Sequence, residues 1–450
     1  MSDSIKIKKG LDIRLQGQAE KIFIKAKKAG LFAVKPTDFL NLLPKLSVAV
    51  NDRVKAGTAL FYDKYRPEIK FTSPVSGTVQ AINRGERRRI LEVVVTPDET
   101  IEYEDFGQAD PNALTREEII KRMLVSGLWP VVRQRPYNLI ADPAIIPKAV
   151  FISAFDTSPL APDYDFLLKD LDTEFQSGID ALIKISGGKV HLNIDSTYPP
   201  STVFSRAKGV QVNKFRGPHP AGNVSTQIHY IDPINKGEIV WVVAPQDIVT
   251  IGRLFMQGRY DASRIVALTG SEVINPRYYK TIAGSCIRSL TDGNIKEGNP
   301  RYISGNVLTG TRVTPNGFLG FYDSQITVIP EGNHREFFGW LSPGINKFSS
   351  SSTFLSKYFP RKDYRIDTNI HGGKRALMIT GNFEKVFPMD IFPMQLLKAI
   401  IIEDIDLMEK LGIYEVVEED FALCEFIDTS KTDIQAIVRK GLDIMYKEMN

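Results

Sequence analysis

The stretch from Asp52 to Arg89 reads DRVKAGTALFYDKYRPEIKFTSPVSGTVQAINRGERRR, and its turn residues and apolar runs repeat in two halves. In the first half, a turn at residues 52–57 separates the apolar runs 46–50 and 58–62. In the second half, the turn SPVSG at residues 73–77 leads into the run 78–82. Glycine permits a positive φ and proline fixes φ near about −65°, so both mark tight turns. The pattern predicts a small β-module made of two similar halves.

This module resembles the barrel-sandwich fold of biotinyl and lipoyl domains, whose halves read V-K-x-G-x-x-L and S-P-x-x-G-x-V. Such carriers present a modified lysine at the tip of the hairpin that joins the halves, and Lys64 is the counterpart here. The tip, DKYRPE at residues 63–68, is longer than the lipoyl pattern and lacks the Met-Lys pair of the biotinyl pattern. We interpret residues 1–105 as a docking module without a prosthetic group, and a carrier modified on Lys64 stays as an alternative.

Length and composition bound the class of protein. A chain of 450 residues exceeds what one hydrophobic core organises, so three or four domains are expected. The net charge of +4 gives no argument for nucleic-acid binding. Two cysteines, Cys286 and Cys424, cannot supply the four thiolates of an iron-sulfur cluster, and the five histidines show no i, i+4 metal spacing. The amino terminus shows no export signal and no apolar run approaches the ~20 residues that span a bilayer, so membrane association is expected to come through partners.

Charge is unevenly distributed along the chain. Basic residues crowd the amino-terminal part, at Lys6, Lys8, Lys9, Lys21, Lys25, Lys27 and Lys28. Acidic residues crowd the stretch 403–420. Such clusters indicate either solvated faces or an end that docks on a partner of opposite charge.

The middle of the chain has the pattern of a parallel α/β domain. A capping box at Thr115 and Glu118 begins a helix that stops at Ser126 and Gly127. An apolar strand (149–155), a helix (163–185) and a second strand (190–194) follow, and the strand-helix pattern recurs at 238–256. Strand, helix and strand in this order predict a Rossmann-like domain over residues 112–258. No G-x-G-x-x-G follows a strand, so the nucleotide fingerprint is absent.

The remaining residues divide into a short β-rich part and a helical part. Short β-like runs at 265–268, 302–304, 318–322 and 326–329 predict a β-grasp domain, similar to an SLBB domain, over residues 259–330. Residues 331–450 are predicted to be mainly helical. One helix is expected to start at Pro393, to present Leu396, Leu397, Ile400 and Leu407 on its apolar face and to stop at Gly412. A second helix is expected to be capped by Thr432.

The order of these domains resembles the flavin-binding, NADH-oxidising subunit of respiratory complex I and its relatives. The glycine-rich flavin loop of those relatives would correspond here to Ser126-Gly127-Leu128-Trp129-Pro130, with one glycine, and the helical domain has one cysteine. A closer resemblance is to the A subunits of sodium-translocating NADH:quinone oxidoreductases. Matching strings run through the whole chain: KIKKGLDI, LFYDKYRPEIKFTSPVSGTV, AINRGERR, SGLWPVVRQRP, FDTSPLAPD, FRGPHPAG, QIHYIDP, GNHREFFGWLSPG and EEDFALCEF. The family's usual V-C-P-G run is replaced here by IDTS at residues 427–430.

The resemblance implies a peripheral subunit on the cytoplasmic face of the bacterial inner membrane. It would belong to a complex with five other subunits that passes electrons from NADH to ubiquinone or menaquinone and exports Na⁺. FAD, FMN, riboflavin and iron-sulfur centres are implied in the partner subunits and none in this chain, which is connected with the quinone-reducing end. A flavin-dependent NADH dehydrogenase subunit, which would be yellow, and a scaffold without quinone contact remain as alternatives.

A few residues have side chains suited to contact a quinone or a partner. His219 lies between Pro218 and Pro220, close to Arg216, and a stiff loop of this kind could aim both side chains at a quinone oxygen. His229 is a third quinone-contact residue at an expected strand end. A satisfied, hydrogen-bonded histidine in a rigid connection is the alternative for both.

A second group of residues suits a protein interface. His334, Arg335, Phe338 and Trp340 form an aromatic and basic set, although burial between domains would account for the same residues. No catalytic, cofactor-binding or metal-binding residue is predicted.

Overall fold

The computed structural model describes residues 4–333, 339, 341, 343–349, 354–359 and 363–449, and in these residues the strands form four sheets. The amino-terminal strands are β1 (Ile5–Lys6), β2 (Glu20–Lys25), β3 (Phe32–Val34), β4 (Pro44–Leu46), β5 (Arg53–Val54), β6 (Ala59–Asp63), β7 (Lys70–Thr72), β8 (Gly77–Arg84) and β9 (Ile90–Pro97). The middle strands are β10 (Arg133–Arg135), β11 (Leu139–Ile140), β12 (Val150–Ser153), β13 (Val190–Asp195), β14 (Gln211–Arg216) and β15 (Val240–Val242). The last strands are β16 (Ser263–Thr269), β17 (Arg277–Ile282), β18 (Pro300–Ser304), β19 (Thr311–Val313) and β20 (Gln325–Pro330).

The helices lie mainly in the middle and at the end of the chain. Those before residue 300 are α1 (Arg116–Val125), α2 (Tyr164–Leu167), α3 (Asp172–Ser186), α4 (Thr202–Ser205), α5 (Val224–Ile231), α6 (Pro245–Gln257) and α7 (Arg288–Thr291). Those after it are α8 (Phe383–Val386), α9 (Pro393–Ile401), α10 (Ile405–Lys410), α11 (Ala422–Ile427) and α12 (Ile434–Met449).

Residues 32–97, which contain the two-halved stretch, form two antiparallel sheets in the orders β3-β9-β8-β5 and β4-β6-β7. Both predicted turns are present, and the chain between them forms the β6–β7 hairpin with Lys64 in its turn. The interior is apolar, since Leu60, Phe61, Val79 and Val93 are fully buried. The prediction of a barrel-sandwich module is therefore confirmed for the strands from β3 to β9.

The middle domain is a seven-stranded sheet in the order β1-β14-β13-β12-β15-β10-β11. The first five strands are parallel, and the β10–β11 hairpin adds two antiparallel strands that the sequence analysis missed. Val150 and Ile152 of β12 pack in the core with α3 and α6, whereas Phe151 packs with α5. Helices therefore cover both faces of the parallel part, as a buried parallel sheet requires. The strand β14, which carries Arg216, was also missed.

The third sheet runs in the order β19-β18-β20-β16-β17-β2, and the central pair β16 and β20 is parallel. Residues 318–322, predicted as a strand, form no strand: Phe318 makes an isolated bridge to Cys286, and Phe321 and Tyr322 lie in a turn. Polar atoms of this turn bond to residues far away in the chain. The Phe321 N–H donates to Asp38 Oδ2 at 2.9 Å, and the Tyr322 hydroxyl donates to the Pro130 carbonyl at 2.8 Å.

The carboxy-terminal part is helical, but its helices are shorter than predicted. Helix α9 begins at Pro393 and ends at Ile401, because the chain turns through Glu403 (φ +58°) before Asp404 caps α10. Leu396, Leu397 and Ile400 are buried as expected, whereas Leu407 lies on α10 and is 37% exposed. Helix α10 is followed by Gly412, as predicted.

The predicted cap at Thr432 is wrong. Helix α12 begins at Ile434, and the Thr432 hydroxyl is buried without a hydrogen-bond partner among the described residues. The Gln435 N–H instead donates to Glu425 Oε2 at 2.8 Å.

The first 25 residues are not part of the β3–β9 sandwich. Strand β1 pairs with β14 at the edge of the α/β sheet, and β2 pairs with β17 at the edge of the third sheet. Between them, Ile13 and Leu15 are buried in the core of the helical part. The amino-terminal segment therefore contacts three structural units outside the β3–β9 sandwich.

Candidate functional site

The predicted quinone-contact histidines lie where the α/β sheet meets the helical part. The loop after β12 contacts the loop before α5 through Thr157 and His219, whereas α5 and the end of β10 contact residues 413–421. In open α/β sheets, ligands bind outside the carboxyl ends of the parallel strands, so this is the place to look for a site.

His219 is a buried, hydrogen-bonded side chain with 4% of its surface exposed. Its Nδ1 lies 3.1 Å from Thr157 Oγ1, which also accepts the Gly222 N–H. Its backbone N–H donates to Asp12 Oδ1 at 2.9 Å, and its carbonyl accepts the Leu11 N–H. Burial lowers the pKa of His219 to about 4, because charging the ring would require desolvating an ion. The imidazole is neutral at pH 7 and contacts Thr157 of the α/β domain, whereas the backbone of His219 binds the amino-terminal segment.

Arg216 is placed differently from His219. It lies on β14 with an exposed side chain, opposite Lys6 of β1 in the sheet register. Among the described residues, it shares no hydrogen-bond partner with His219. The structure does not bring Arg216 and His219 together in one site. That both side chains contact one quinone oxygen stays a prediction.

His229 joins helix α5 to the helical part. Its Nδ1 lies 2.7 Å from Glu415 Oε2, and its Nε2 lies 3.1 Å from the Asp390 backbone nitrogen. Since a backbone N–H can only donate, Nε2 is the acceptor and Nδ1 the donor. The neighbouring Tyr230 hydroxyl donates to the Pro388 carbonyl at 2.9 Å. His229 lies in a helix and not at the strand end that was expected.

A chain of hydrogen-bonded amides lies near the carboxyl edge of the sheet. Asn213 Nδ2 donates to Asn193 Oδ1, and Asn193 Nδ2 donates to Gln227 Oε1, both at 2.8 Å. Gln227 Nε2 then donates to Ser153 Oγ, also at 2.8 Å. The chain links β14, β13, α5 and β12, so it holds the loops that carry His219 and Thr157 in register.

A buried charged cluster that the sequence did not predict lies at the same junction. Arg135, 3% exposed, donates from Nη2 to Glu419 Oε1 at 2.9 Å, while its Nε and Nη1 have no partner among the described residues. Burial, followed by the charge of Glu419, raises the pKa of Asp420 to about 7. Burial also raises the pKa of Asp156, which accepts the Ser158 N–H at 2.7 Å.

The cluster has hydrogen-bonding capacity left over. The Thr226 hydroxyl is buried without a partner within the part of the chain that the structure describes, whereas the hydroxyls of Ser158 and Ser225 interact with the carboxyl groups of Asp156 and Asp420. The Arg135 N–H groups and the Thr226 hydroxyl can bind water or a small polar ligand. The sequence gives only a weak indication of this cluster. Arg135 is part of the segment RQRP, and Asp420 is part of an acidic run whose pattern is typical of a solvent-exposed surface.

The other predicted positions lie elsewhere. Lys64 is exposed in the β6–β7 turn, with its Nζ 5.6 Å from the centre of the Tyr65 ring. His334, Arg335, Phe338 and Trp340 lie outside the described residues. Cys424 is buried, which raises the pKa of its thiol, and Cys286 is half-buried and also free. Within the described residues, no group of three His, Cys, Asp or Glu side chains is placed to hold a metal ion.

Family models match three parts of the chain. The NqrA N-terminal barrel-sandwich hybrid domain matches residues 5–98, the NqrA second alpha/beta domain matches residues 114–260, and the NQRA C-terminal domain matches residues 265–314. The chain is thus a mixed α/β multidomain protein with a barrel-sandwich amino-terminal domain and a helical carboxyl end. The helices of the described residues include none that is long and apolar enough to cross a bilayer.

Full-length relatives identify the family. The A subunit of the Na(+)-translocating NADH-quinone reductase of Yersinia pestis is 39% identical over 449 residues, covering 99% of this chain and 100% of that protein. The corresponding A subunits of Hahella chejuensis and Pasteurella multocida are 38% and 36% identical, with the same coverage. The chain belongs to the family of A subunits of the Na(+)-translocating NADH-quinone reductase.

Among solved structures, the NAD+-reducing [NiFe]-hydrogenase in the air-oxidized state gives a TM-score of 0.39 at 12% identity. The match covers 75% of this chain and 62% of that chain.

Proposed function

We propose that this chain is a peripheral subunit of a complex that transfers electrons from NADH to quinone and exports Na⁺. The observation that supports the proposal is identity of 36–39% along essentially the whole of both chains to proteins named as the A subunit of such a reductase. The five other subunits are its partners, and FAD, FMN, riboflavin and iron-sulfur centres belong to them. The complex lies in the bacterial inner membrane, and this chain lies on its cytoplasmic face.

We further propose that the chain acts at the quinone-reduction step without a redox cofactor of its own. The buried cluster around Arg135 supports a role at this step, because buried N–H groups without partners among the described residues are suited to a polar ligand. For the domains themselves, we propose the Rossmann-like fold for residues 112–258 and the β-grasp fold for residues 259–330. The parallel sheet covered on both faces and the parallel central pair β16 and β20 support these names.

The experiment is affinity purification of the tagged full chain from detergent-solubilised membranes of its native host. Subunit identification and an absorption spectrum are taken of the eluate and of the chain expressed alone. Co-purified flavin-bearing subunits beside a colourless isolated chain are the expected result. A chain that elutes alone and yellow would favour the flavin-dependent dehydrogenase, and a mass increment on Lys64 would favour the carrier.

The quinone step is tested separately in a strain without the chromosomal gene. Complementation with the wild-type chain is expected to restore Na⁺-stimulated NADH:quinone reductase activity in membrane vesicles. Replacement of Arg135 by Lys is expected to raise the KM for quinone and to leave assembly intact. An unchanged KM for quinone in an assembled complex would show that the Arg135 cluster does not contribute to quinone reduction.

A further inference from the structure

Five cations form an exposed patch at the free edge of the α/β sheet. Lys6 of β1 lies opposite Arg216 of β14, and Lys214 lies two residues before Arg216 on the same side of its strand. Lys8 and Lys9 continue from β1. We call Lys6, Lys8, Lys9, Lys214 and Arg216 the edge patch, and all five are exposed.

The two strands are held tightly in register. The Ile7 N–H donates to the Arg216 carbonyl at 2.9 Å, and Ile7 itself is buried between the exposed Lys6 and Lys8. Gly217, with φ of +151°, lies so close to the Ile7 carbonyl that a Cβ there would be 2.4 Å from its oxygen. The two strands that carry the edge patch are therefore in direct backbone contact.

The charges of the edge patch are not compensated within the described part of the molecule. None of its five cations forms an ion pair with a described carboxylate, whereas Lys27 of the same amino-terminal region lies 2.7 Å from Asp292. The nearby Asp12 carboxylate is used by the His219 backbone N–H. Five unpaired positive charges exceed the net charge of +4 of the whole chain, so this edge is a concentrated positive field.

The composition of the edge patch favours lipid over protein as its partner. Four of the five residues are lysines and none is aromatic, and protein interfaces are depleted in lysine and enriched in aromatic residues. Hydrated ammonium groups on flexible stems instead suit a diffuse anionic surface, such as a leaflet with acidic headgroups.

We propose that the edge patch binds the headgroups of anionic phospholipids and so gives the chain a direct contact with the membrane. The proposal rests on the proposed function only for bringing a membrane near this chain. It goes beyond attachment through partner subunits, because the lipid contact belongs to the chain itself.

The test uses the purified full chain and vesicles, with no other protein present. Cosedimentation is measured with phosphatidylcholine vesicles and with vesicles containing roughly 30% phosphatidylglycerol, at about 0.1 M salt. The variant Lys6→Gln/Lys8→Gln/Lys9→Gln removes three charges from the patch. The control Lys45→Gln/Lys121→Gln/Lys184→Gln removes three exposed lysines from other surfaces.

The wild-type chain is expected to bind only the anionic vesicles. Each cation near such a surface strengthens binding about fivefold, so the patch variant should bind roughly a hundredfold more weakly and the control should bind like the wild type. The double variant Lys214→Gln/Arg216→Gln, on the other strand, should weaken binding in the same direction. Thermal unfolding checks that all variants are folded.

Three results would overturn the proposal. Equal binding of the patch variant and the control would show a net-charge effect, and no binding of the wild-type chain would show no lipid affinity. A patch variant that binds vesicles normally but no longer co-purifies with membrane subunits would assign the patch to a protein partner. Failure of the proposed function would appear differently, as missing partner subunits in the purification of the wild-type chain.

Discussion

At the scale of single residues, burial of His219 makes stability depend on pH. Its pKa is about 4 in the folded chain and about 6.5 when unfolded, so between these values the unfolded state binds more protons. The contribution of a neutral His219 is therefore present above pH 6.5 and is lost as the pH falls towards 4. The expected loss is about 3 kcal/mol of unfolding free energy.

Urea unfolding of the wild-type chain and of His219→Gln at several pH values measures this effect. The difference in unfolding free energy between the two should change by about 3 kcal/mol between pH 7 and pH 4, because glutamine does not titrate. If the unfolding free energies of the two proteins changed equally with pH, the assignment of a buried neutral imidazole would be contradicted.

Asp420 is expected to show the opposite dependence on pH. Its pKa is raised above the value of an unfolded aspartate, so the folded chain holds the extra proton and loses stability as the pH rises through about 7. Asp420→Asn keeps an oxygen for the Val417 N–H and removes the charge. The variant should be more stable than the wild type at pH 8, by on the order of 1–3 kcal/mol, and no more stable at pH 5. If Asp420→Asn changed the melting temperature equally at pH 5 and pH 8, the raised pKa of Asp420 would be contradicted.

Residue-level prediction from sequence succeeded where the partners are close in the chain. The capping box is present as predicted, with the Thr115 N–H donating to Glu118 Oε2 at 2.8 Å. The prediction failed at Thr432, because the Glu425 carboxylate, and not the Thr432 hydroxyl, accepts a backbone N–H in the first turn of α12. The Arg135–Glu419 pair could not be predicted because its two residues are 284 positions apart in the chain.

At the scale of secondary-structure elements, the helix pair α3 and α6 depends on two glycines. A Cβ added to Gly178 would lie 2.1 Å from the Ile248 carbonyl oxygen, and one added to Gly252 would lie 1.8 Å from that of Glu174. Both distances are far below van der Waals contact, so the helix backbones approach each other directly. Neither glycine has a positive φ, and close approach alone is the reason for the residue.

Gly178→Ala should therefore force α3 and α6 apart. We expect a loss of about 2–3 kcal/mol in unfolding free energy, as is typical of overpacking in a core. Gly30→Ala is the control, because Gly30 has no atom within 4 Å of its added Cβ and no positive φ. Chemical denaturation of both variants checks the difference, and equal stability would argue against direct backbone contact.

Element boundaries were predicted well at sharp chemical signals and poorly inside continuous apolar patterns. Pro393, Gly412 and the strand 190–194 lie at or close to their predicted places. The predicted helix 163–185 breaks between α2 and α3, where Asp170 has φ of +66°. Its apolar spacing continues across the break, so periodicity alone does not reveal it.

At the scale of the whole molecule, the amino-terminal segment connects units that the sequence presented as successive domains. Domain order was predictable because each unit has its own periodicity. The path of residues 5–25 was not, because its short strands pair with residues far along the chain, such as Lys25 with Lys280. No local pattern encodes such a pairing.

Deletion of residues 1–27 should consequently weaken the whole molecule. It removes edge strands from two sheets and the buried side chains of Ile7, Ile13 and Leu15, each in the core of a unit outside the sandwich. Burial of an aliphatic side chain stabilises by about 1.5–3 kcal/mol, so the loss from these three side chains should be about 4.5–9 kcal/mol. Calorimetry should show a lower and broader transition, because the units no longer unfold together.

The control substitution Lys8→Gln, of an exposed side chain in the same segment, should leave the transition unchanged. The double variant Ile13→Ala/Leu15→Ala tests the same segment without exposing sheet edges, and it should lower the stability of the helical part selectively. Limited proteolysis would then cleave first within residues 363–449. A deletion of residues 1–27 with an unchanged transition would mean that the segment lies on the surface of units that are stable without it.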